Sequence, residues 1–347
     1  MIRRSTSLRA ASLAVFLLAA LGAAPVLACG GLIGPNGAVN LLRTTTLAGY
    51  HDGREHYVTA FQFAGGGGAF GSLTPLPGIP SSVEKGGDWT LQRLIRETDP
   101  IPAGEALRLN AAADAGSAEV LMEVRIDALD ISVLRGGAAE VGRWATEHGF
   151  RLPPDSPEVL EFYSRRSPIF LAAVFDADAA RERGQAIGDG TPVHVTIPTD
   201  NPWVPLRILA LGKTGEERVE ADVYLLTDRS PSLLPAPSGE NGLALQHSAA
   251  ASDALLADLR SDRGMDWIPD AAWLTKVRVD AEASRLGFDL AIDASGEGAP
   301  SAVAAGLTVP VPAAVDLFRL VLGLGLIVGG VGGLVLLVRW RPVPQTA

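Results

Sequence analysis

The chain has 347 residues, 47% hydrophobic and 20% charged, with 29 basic and 39 acidic side chains and a single cysteine. One cysteine excludes an intramolecular disulfide framework, so the fold must stand on its core. The acidic balance argues against nucleic acid or an anionic lipid surface as a partner, because both would be repelled.

At the start, Arg3, Arg4 and Arg9 precede an apolar stretch over residues 10–21, then Pro25-Val26-Leu27-Ala28-Cys29. This pattern predicts a secretory signal peptide over residues 1–28. Three readings of Cys29 stand open. It is the first residue left by an ordinary cut after Val-x-Ala, or a lipidated N-terminus, or an N-terminal nucleophile whose own amine serves as base. Between Cys29 and Phe318 there are 23 basic and 39 acidic residues, a net charge of −16. An acidic, soluble exterior accounts for that balance.

Residues 29–295 read as an extracytoplasmic α+β domain, mostly antiparallel sheet with a few short helices. Asp52-Gly53 is a turn signal between apolar runs at residues 41–47 and 57–63, which predicts a β-hairpin. Gly65 to Gly68 reads as a loop. Pro75-Leu76-Pro77-Gly78-Ile79-Pro80 is too proline-rich for a central strand. Asp88 is placed to cap a short helix with Leu91, Leu94, Ile95 and Thr98 on one stripe, ended by Pro100. Residues alternate with period two around Val120–Ile126, Val193–Ile197, Val219–Leu225 and Leu286–Ile292, which predicts half-buried strands. Helices are expected over residues 138–148, 157–165 and 252–260. Strands and helices do not alternate as βαβ units, which favours α+β over a doubly wound sheet. The proline-rich stretch at 230–241 is a candidate internal boundary. Residues 296–318, rich in Gly, Ala and Pro, read as a stalk.

Residues 320–338 carry no charge and are closed by Arg339-Trp340-Arg341. At about 1.5 Å per residue this run covers the roughly 30 Å hydrocarbon core of a bilayer. It predicts a transmembrane helix over residues 319–339 with a cytoplasmic tail, 340–347, and Arg339, Trp340 and Arg341 as interface anchors. The expected topology is single-pass, with the N-terminal domain outside and the lipid bilayer as partner. Gly325, Gly329 and Gly333 repeat every four residues, a spacing that lets two such helices approach and form a homo-oligomer.

The chemistry is harder to read. Ser82-Val83-Glu84-Lys85 matches S-x-x-K, Lys213-Thr214-Gly215 matches K-T-G, and Thr199-Asp200-Asn201 resembles the middle element of exported serine acyl enzymes. Their context fails: Gly86-Gly87 follows Lys85 at once, so Ser82 and Lys85 read as loop residues, and Lys213 lies in a turn between strand-like runs at 206–211 and 219–226. His51 and His56 flank the hairpin turn and could approach one another, with Asp52 and Glu55 nearby; two imidazoles and carboxylates can bind Zn²⁺ or Cu²⁺, but polar residues around a turn are normally solvated. His194 lies on the polar face of its strand, His148 in the last turn of a helix and His247 in a loop. The ectodomain tryptophans read as core. No metal and no cofactor is expected.

The Ala-Cys-Gly-Gly start, Thr44-Thr45-Thr46 leading into a hairpin, the Pro75–Pro80 segment and Arg96-Glu97-Thr98-Asp99-Pro100 together resemble the bacterial exported family catalogued as domain of unknown function 2330. That resemblance implies a bacterial envelope protein and carries over no catalytic residue. The function expected is a membrane-anchored extracytoplasmic binding or structural module. The alternative is an exported hydrolase or acyltransferase using Cys29 or Ser82, with Lys85, as its nucleophilic machinery.

Overall fold

The computed structural model describes residues 31–34, 37–38, 41–63, 70–99, 120–176, 180, 182 and 191–307. Residues through Leu307 form one unit and 308–347 another. Cys29, the signal segment, Gly325, Gly329, Gly333, Arg339, Trp340 and Arg341 lie outside the described residues. Among the described residues no helix is long and apolar enough to cross a membrane.

The described chain begins with β1 (Gly31–Gly34) and β2 (Gly37–Ala38), followed by β3 (Leu41–His51) and β4 (Arg54–Phe63). Asp52 and Gly53 between them both take positive φ, 50° and 72°. That matches the two-residue turn whose twist suits a hairpin, as the sequence predicts. Then come β5 (Phe70–Pro75), β6 (Ser82–Lys85), α1 (Thr90–Thr98), β7 (Val120–Ile126), β8 (Leu129–Arg135), α2 (Ala138–Glu147), α3 (Ser156–Ser164) and β9 (Ile169–Phe175). The chain closes with β10 (Pro192–Pro198), β11 (Trp203–Val204), β12 (Arg218–Thr227), β13 (Ser232–Leu234), β14 (Leu243–Ala250), α4 (Asp253–Ser261), β15 (Trp273–Glu282) and β16 (Leu290–Asp293).

A seven-stranded sheet runs β14-β15-β12-β3-β4-β10-β6, a six-stranded one β2-β1-β5-β9-β8-β7, and a small one β11-β16-β13. The pairing is antiparallel except between β12 and β3, which run parallel. The class is therefore α+β and rich in strands, with four short helices among the described residues. Period two decides the layers. Val193, Val195, Ile197, Ala221, Val223 and Val277 share one buried cluster with Leu32, Leu73, Ile131 and Leu171 of the six-stranded sheet. Val58, Tyr224, Leu226 and Leu274 point the other way, onto Leu91 and Leu94 of α1 and Leu255, Leu256 and Leu259 of α4. The seven-stranded sheet is thus buried on both faces. Helices α2 and α3 add Val141, Trp144, Val159, Leu160 and Tyr163 to the first cluster.

Several expectations shift, each because a distant group takes over a local one. Asp88 does not cap α1. Trp89 occupies that position without a side-chain bond, and Asp262 Oδ2 accepts from Trp89 N, Thr90 N and Thr90 Oγ1 at 2.9, 2.8 and 2.8 Å. Ser82 to Lys85 is not a loop but strand β6, paired with β10 from Thr196 to Val193. Residues 206–211 are not a strand: Arg207–Ala210 is a 3-10 turn. Asp289 Oδ1 accepts the N–H groups of Leu206 and Arg207 at 2.8 and 3.0 Å, and Tyr163 Oη accepts that of Ile208 at 2.8 Å. Leu286 closes another 3-10 turn, so the strand expected from it begins at Leu290. His247 belongs to β14 rather than a loop. The stretch at 230–241 holds β13, and the strands on either side of it, β12 and β14, both pair with β15 in one sheet. Residues 296–307, assigned to the stalk, pack on the body: Ala305 is fully buried and its carbonyl accepts Asp289 N at 2.9 Å.

Candidate functional site

On the helix-covered face of the seven-stranded sheet, β4 supplies His56 and β10 supplies His194. Their strands pair with Thr196 opposite His56 and His194 opposite Val58, so the two imidazoles are diagonal neighbours on one face. His56 Nδ1 lies 3.0 Å from His194 Nε2, and both residues are buried. Trp267, from the loop after α4, stacks on His56 with centroids 4.0 Å apart and planes within 5°. Two glycines make the room. A Cβ at Gly49, directly opposite His56, would come within 2.2 Å of the Trp267 ring, and one at Gly86 within 2.6 Å of His194 Cβ.

Burial lowers both imidazoles, His56 to about 3 and His194 to about 4. For His56 the neighbouring His194, Arg54 and His51 push the same way; for His194 the Asp266 charge and a bond to the Gly264 backbone pull weakly back. Both rings are therefore neutral at pH 7. Each neutral ring carries one N–H, so one of the two facing nitrogens donates and the other accepts, the direction set by the tautomer. A neutral pair shut under an indole holds together three segments of chain. It offers no face to a substrate.

Three further buried ionisable groups surround the core. Glu55, on the opposite face of β4, is fully buried; its Oε2 accepts Trp203 N at 3.3 Å and its Oε1 has no hydrogen-bond partner. Burial pushes its carboxyl up to about 8. Lys276, 1% exposed, pairs with Asp99 just past the C-terminus of α1 and stands 3.9 Å from Asp222. Asp289 binds Arg166 and accepts from Tyr163 Oη at 2.9 Å; burial raises both Asp289 and Tyr163, with the Arg166 charge opposing.

The residues singled out from sequence fare differently. Ser82 and Lys85 are three apart on a strand, so their side chains leave opposite faces of the sheet; on a helix they would share one. The Lys85 ammonium pairs with Asp127 and lies 3.7 Å from Asp88. The structure therefore does not bring nucleophile and base together. Cys29 lies outside the described residues, but Gly31, two positions on, is already buried in β1. His51 and His56 part company: His51 Nδ1 meets Asp228 at 2.7 Å, while His56 turns to His194. His194 does lie on the face away from Val193 and Val195, but loop 262–268 buries it. Among the described residues no cluster of three or more His, Cys, Asp or Glu side chains is arranged to hold a metal. Sequence reasoning placed Glu55 among the polar residues of the hairpin turn and missed its burial, and it missed Lys276 and the pairing of His56 with His194. A polar residue within an apolar strand was the only signal.

A bacterial family model described as an uncharacterized protein conserved in bacteria, domain of unknown function 2330, matches residues 23–293. The chain belongs to that family. The match takes in both histidines, Trp267 and every described strand, so the architecture above is that of a domain of unknown function 2330 protein. No curated protein matches. Among solved structures the chain is similar to the crystal structure of baculovirus P35, at 9% identity over 74% of this chain and 92% of that one, with a TM-score of 0.37.

Proposed function

We propose that this member of the family is an exported, membrane-anchored binding or structural module of the bacterial envelope. Its α+β body stands outside the cell membrane and its tail, residues 340–347, inside. The observation that carries the reading is the pairing of two sequence signals around one folded body: Arg3, Arg4 and Arg9 before an apolar run, and the uncharged run at 320–338 closed by Arg339-Trp340-Arg341. The bilayer is the partner of the C-terminal helix, and Gly325, Gly329 and Gly333 give that helix a face for a second copy. The geometry of Ser82 and Lys85 on β6 supports a non-enzymatic role, since a serine and its base must share a face.

Reporter fusions test the topology. A C-terminal reporter active only inside the cell works and one active only outside is silent; the reverse pattern overturns the anchoring. Cys29→Ser leaves export and membrane retention intact, because the helix already anchors the chain, and the mature protein carries no diacylglycerol by intact mass. Stoichiometric labelling by a fluorophosphonate probe that vanishes in Ser82→Ala, or labelling of Cys29 by a thiol-directed activity probe that is lost when the chain is denatured, would establish the acyl-enzyme alternative instead.

A further inference from the structure

The two large sheets share an apolar core, yet one patch of it is built from hydroxyls. On β3, Thr44 and Thr46 are two residues apart and so share a face of the seven-stranded sheet. Thr59 of β4 lies directly opposite Thr46, and Tyr57, two residues earlier, is on the same face. Across the parallel ladder, Ala221 and Val223 of β12 stand opposite Thr44 and Thr46. Thr74 comes from β5, in the six-stranded sheet. The four threonines and Tyr57 line a cavity of about 20 Å³. Leu206 and Ile208 complete its wall, on the turn whose N–H groups Asp289 and Tyr163 hold.

All four threonines are buried. Thr46 Oγ1 and Thr59 Oγ1 are 3.3 Å apart, so one hydroxyl donates to the other. The accepting hydroxyl keeps its own proton to donate elsewhere. Thr44 Oγ1 is buried with no hydrogen-bond partner among the described residues. A buried hydroxyl left in that state destabilises the fold, and valine would fill the same space in a strand without the penalty. Threonines gathered round one cavity therefore call for an occupant that forms hydrogen bonds. Size selects it. A water needs roughly 10–15 Å³ of such space, so the cavity has room for about one.

We propose that this cavity is a binding site for one ordered water, which joins the two sheets from within. A buried water makes about three hydrogen bonds. Here its partners are the Thr44 hydroxyl, the free proton of the Thr46–Thr59 pair and the Thr74 hydroxyl. Two of these belong to the seven-stranded sheet and one to the six-stranded sheet. The water thus supplies a directional tie where the core otherwise holds the sheets by apolar contact alone. An apolar cavity of the same size stays dry, so the threonine hydroxyls are what make the site. The site does not depend on how the chain is anchored.

The test uses the full chain in detergent. Relaxation dispersion of water oxygen-17 counts the long-lived waters inside a protein. It is measured for wild type and for the triple variant Thr44→Val, Thr46→Val, Thr59→Val, which keeps the shape of the cavity and removes its hydroxyls; circular dichroism checks the fold. The expected result is a dispersion amplitude lower in the variant by the equivalent of one water. Urea unfolding of Thr44→Val alone gives a second readout that does not need the triple variant to fold. Its midpoint should fall, because the water loses a partner. A hydroxyl with no partner at all would be relieved by the same change, and the midpoint would rise. An unchanged amplitude in a folded triple variant overturns the proposal, and so does a midpoint that Thr44→Val leaves unchanged or raises.

Discussion

Replacing Glu55 by Gln should abolish an alkaline loss of stability. The folded carboxyl titrates at about 8 because it is buried, against about 4.5 when exposed. A group whose folded pKa is raised contributes its full stability below the unfolded pKa and loses it as pH rises through the folded one. The window here is pH 4.5 to 8. The shift spans about 3.5 units, and at about 1.4 kcal/mol per unit the whole window is worth roughly 5 kcal/mol, of which roughly 3 is already lost at pH 7. Glutamine keeps the shape and the acceptor for Trp203 N but cannot ionise. Urea denaturation of wild type and Glu55→Gln at pH 5, 6, 7 and 8 gives the difference in unfolding free energy, in which other titrations cancel. That difference should move in favour of Glu55→Gln by about 1.4 kcal/mol per pH unit between 5 and 7. A difference that stays flat with pH would show that Glu55 is ionised or solvated in the folded chain, and the reasoning from burial would fail.

The histidine pair works in the opposite sense. Its folded pKa values lie below the unfolded one, so its stability is present above about pH 6.5 and falls away on acidification, by roughly 2 kcal/mol per ring between pH 7 and 5; His194→Gln should flatten that part of an acid-unfolding curve followed by circular dichroism. Asp262→Ala removes three hydrogen bonds from the start of α1, should cost about 2 kcal/mol in thermal or urea unfolding, and should raise amide exchange selectively over residues 90–98. Gly49→Ala puts a methyl group where the Trp267 ring lies, so the ring must leave His56; a change in tryptophan emission that is absent in a Trp267→Phe background, with a loss of about 1–3 kcal/mol, is the expected outcome.

Local chemistry alone determined much of this protein. The Asp52-Gly53 turn, the alternation in β7, β10 and β12, and the stripe of Leu91 and Leu94 on α1 were all legible, because turn conformation and side-chain period depend on residues a few positions apart. Ser252 was equally readable as the start of α4, where its hydroxyl accepts Leu255 N. The family membership also followed from short local segments. What the tertiary structure decided is every contact that joins distant chain. Asp262 caps a helix 172 residues earlier, and His56 finds a partner 138 residues away. Asp289 and Tyr163 turn an apolar run at Arg207–Ala210 into a 3-10 turn by taking its N–H groups. Strand β3 runs parallel to β12, which no hairpin rule foresees. Period assigns a residue to a face, but burial of that face depends on what packs over it. Glu55, Lys276 and His194 hold polar positions in their strands, and only the layers above them make those positions dry.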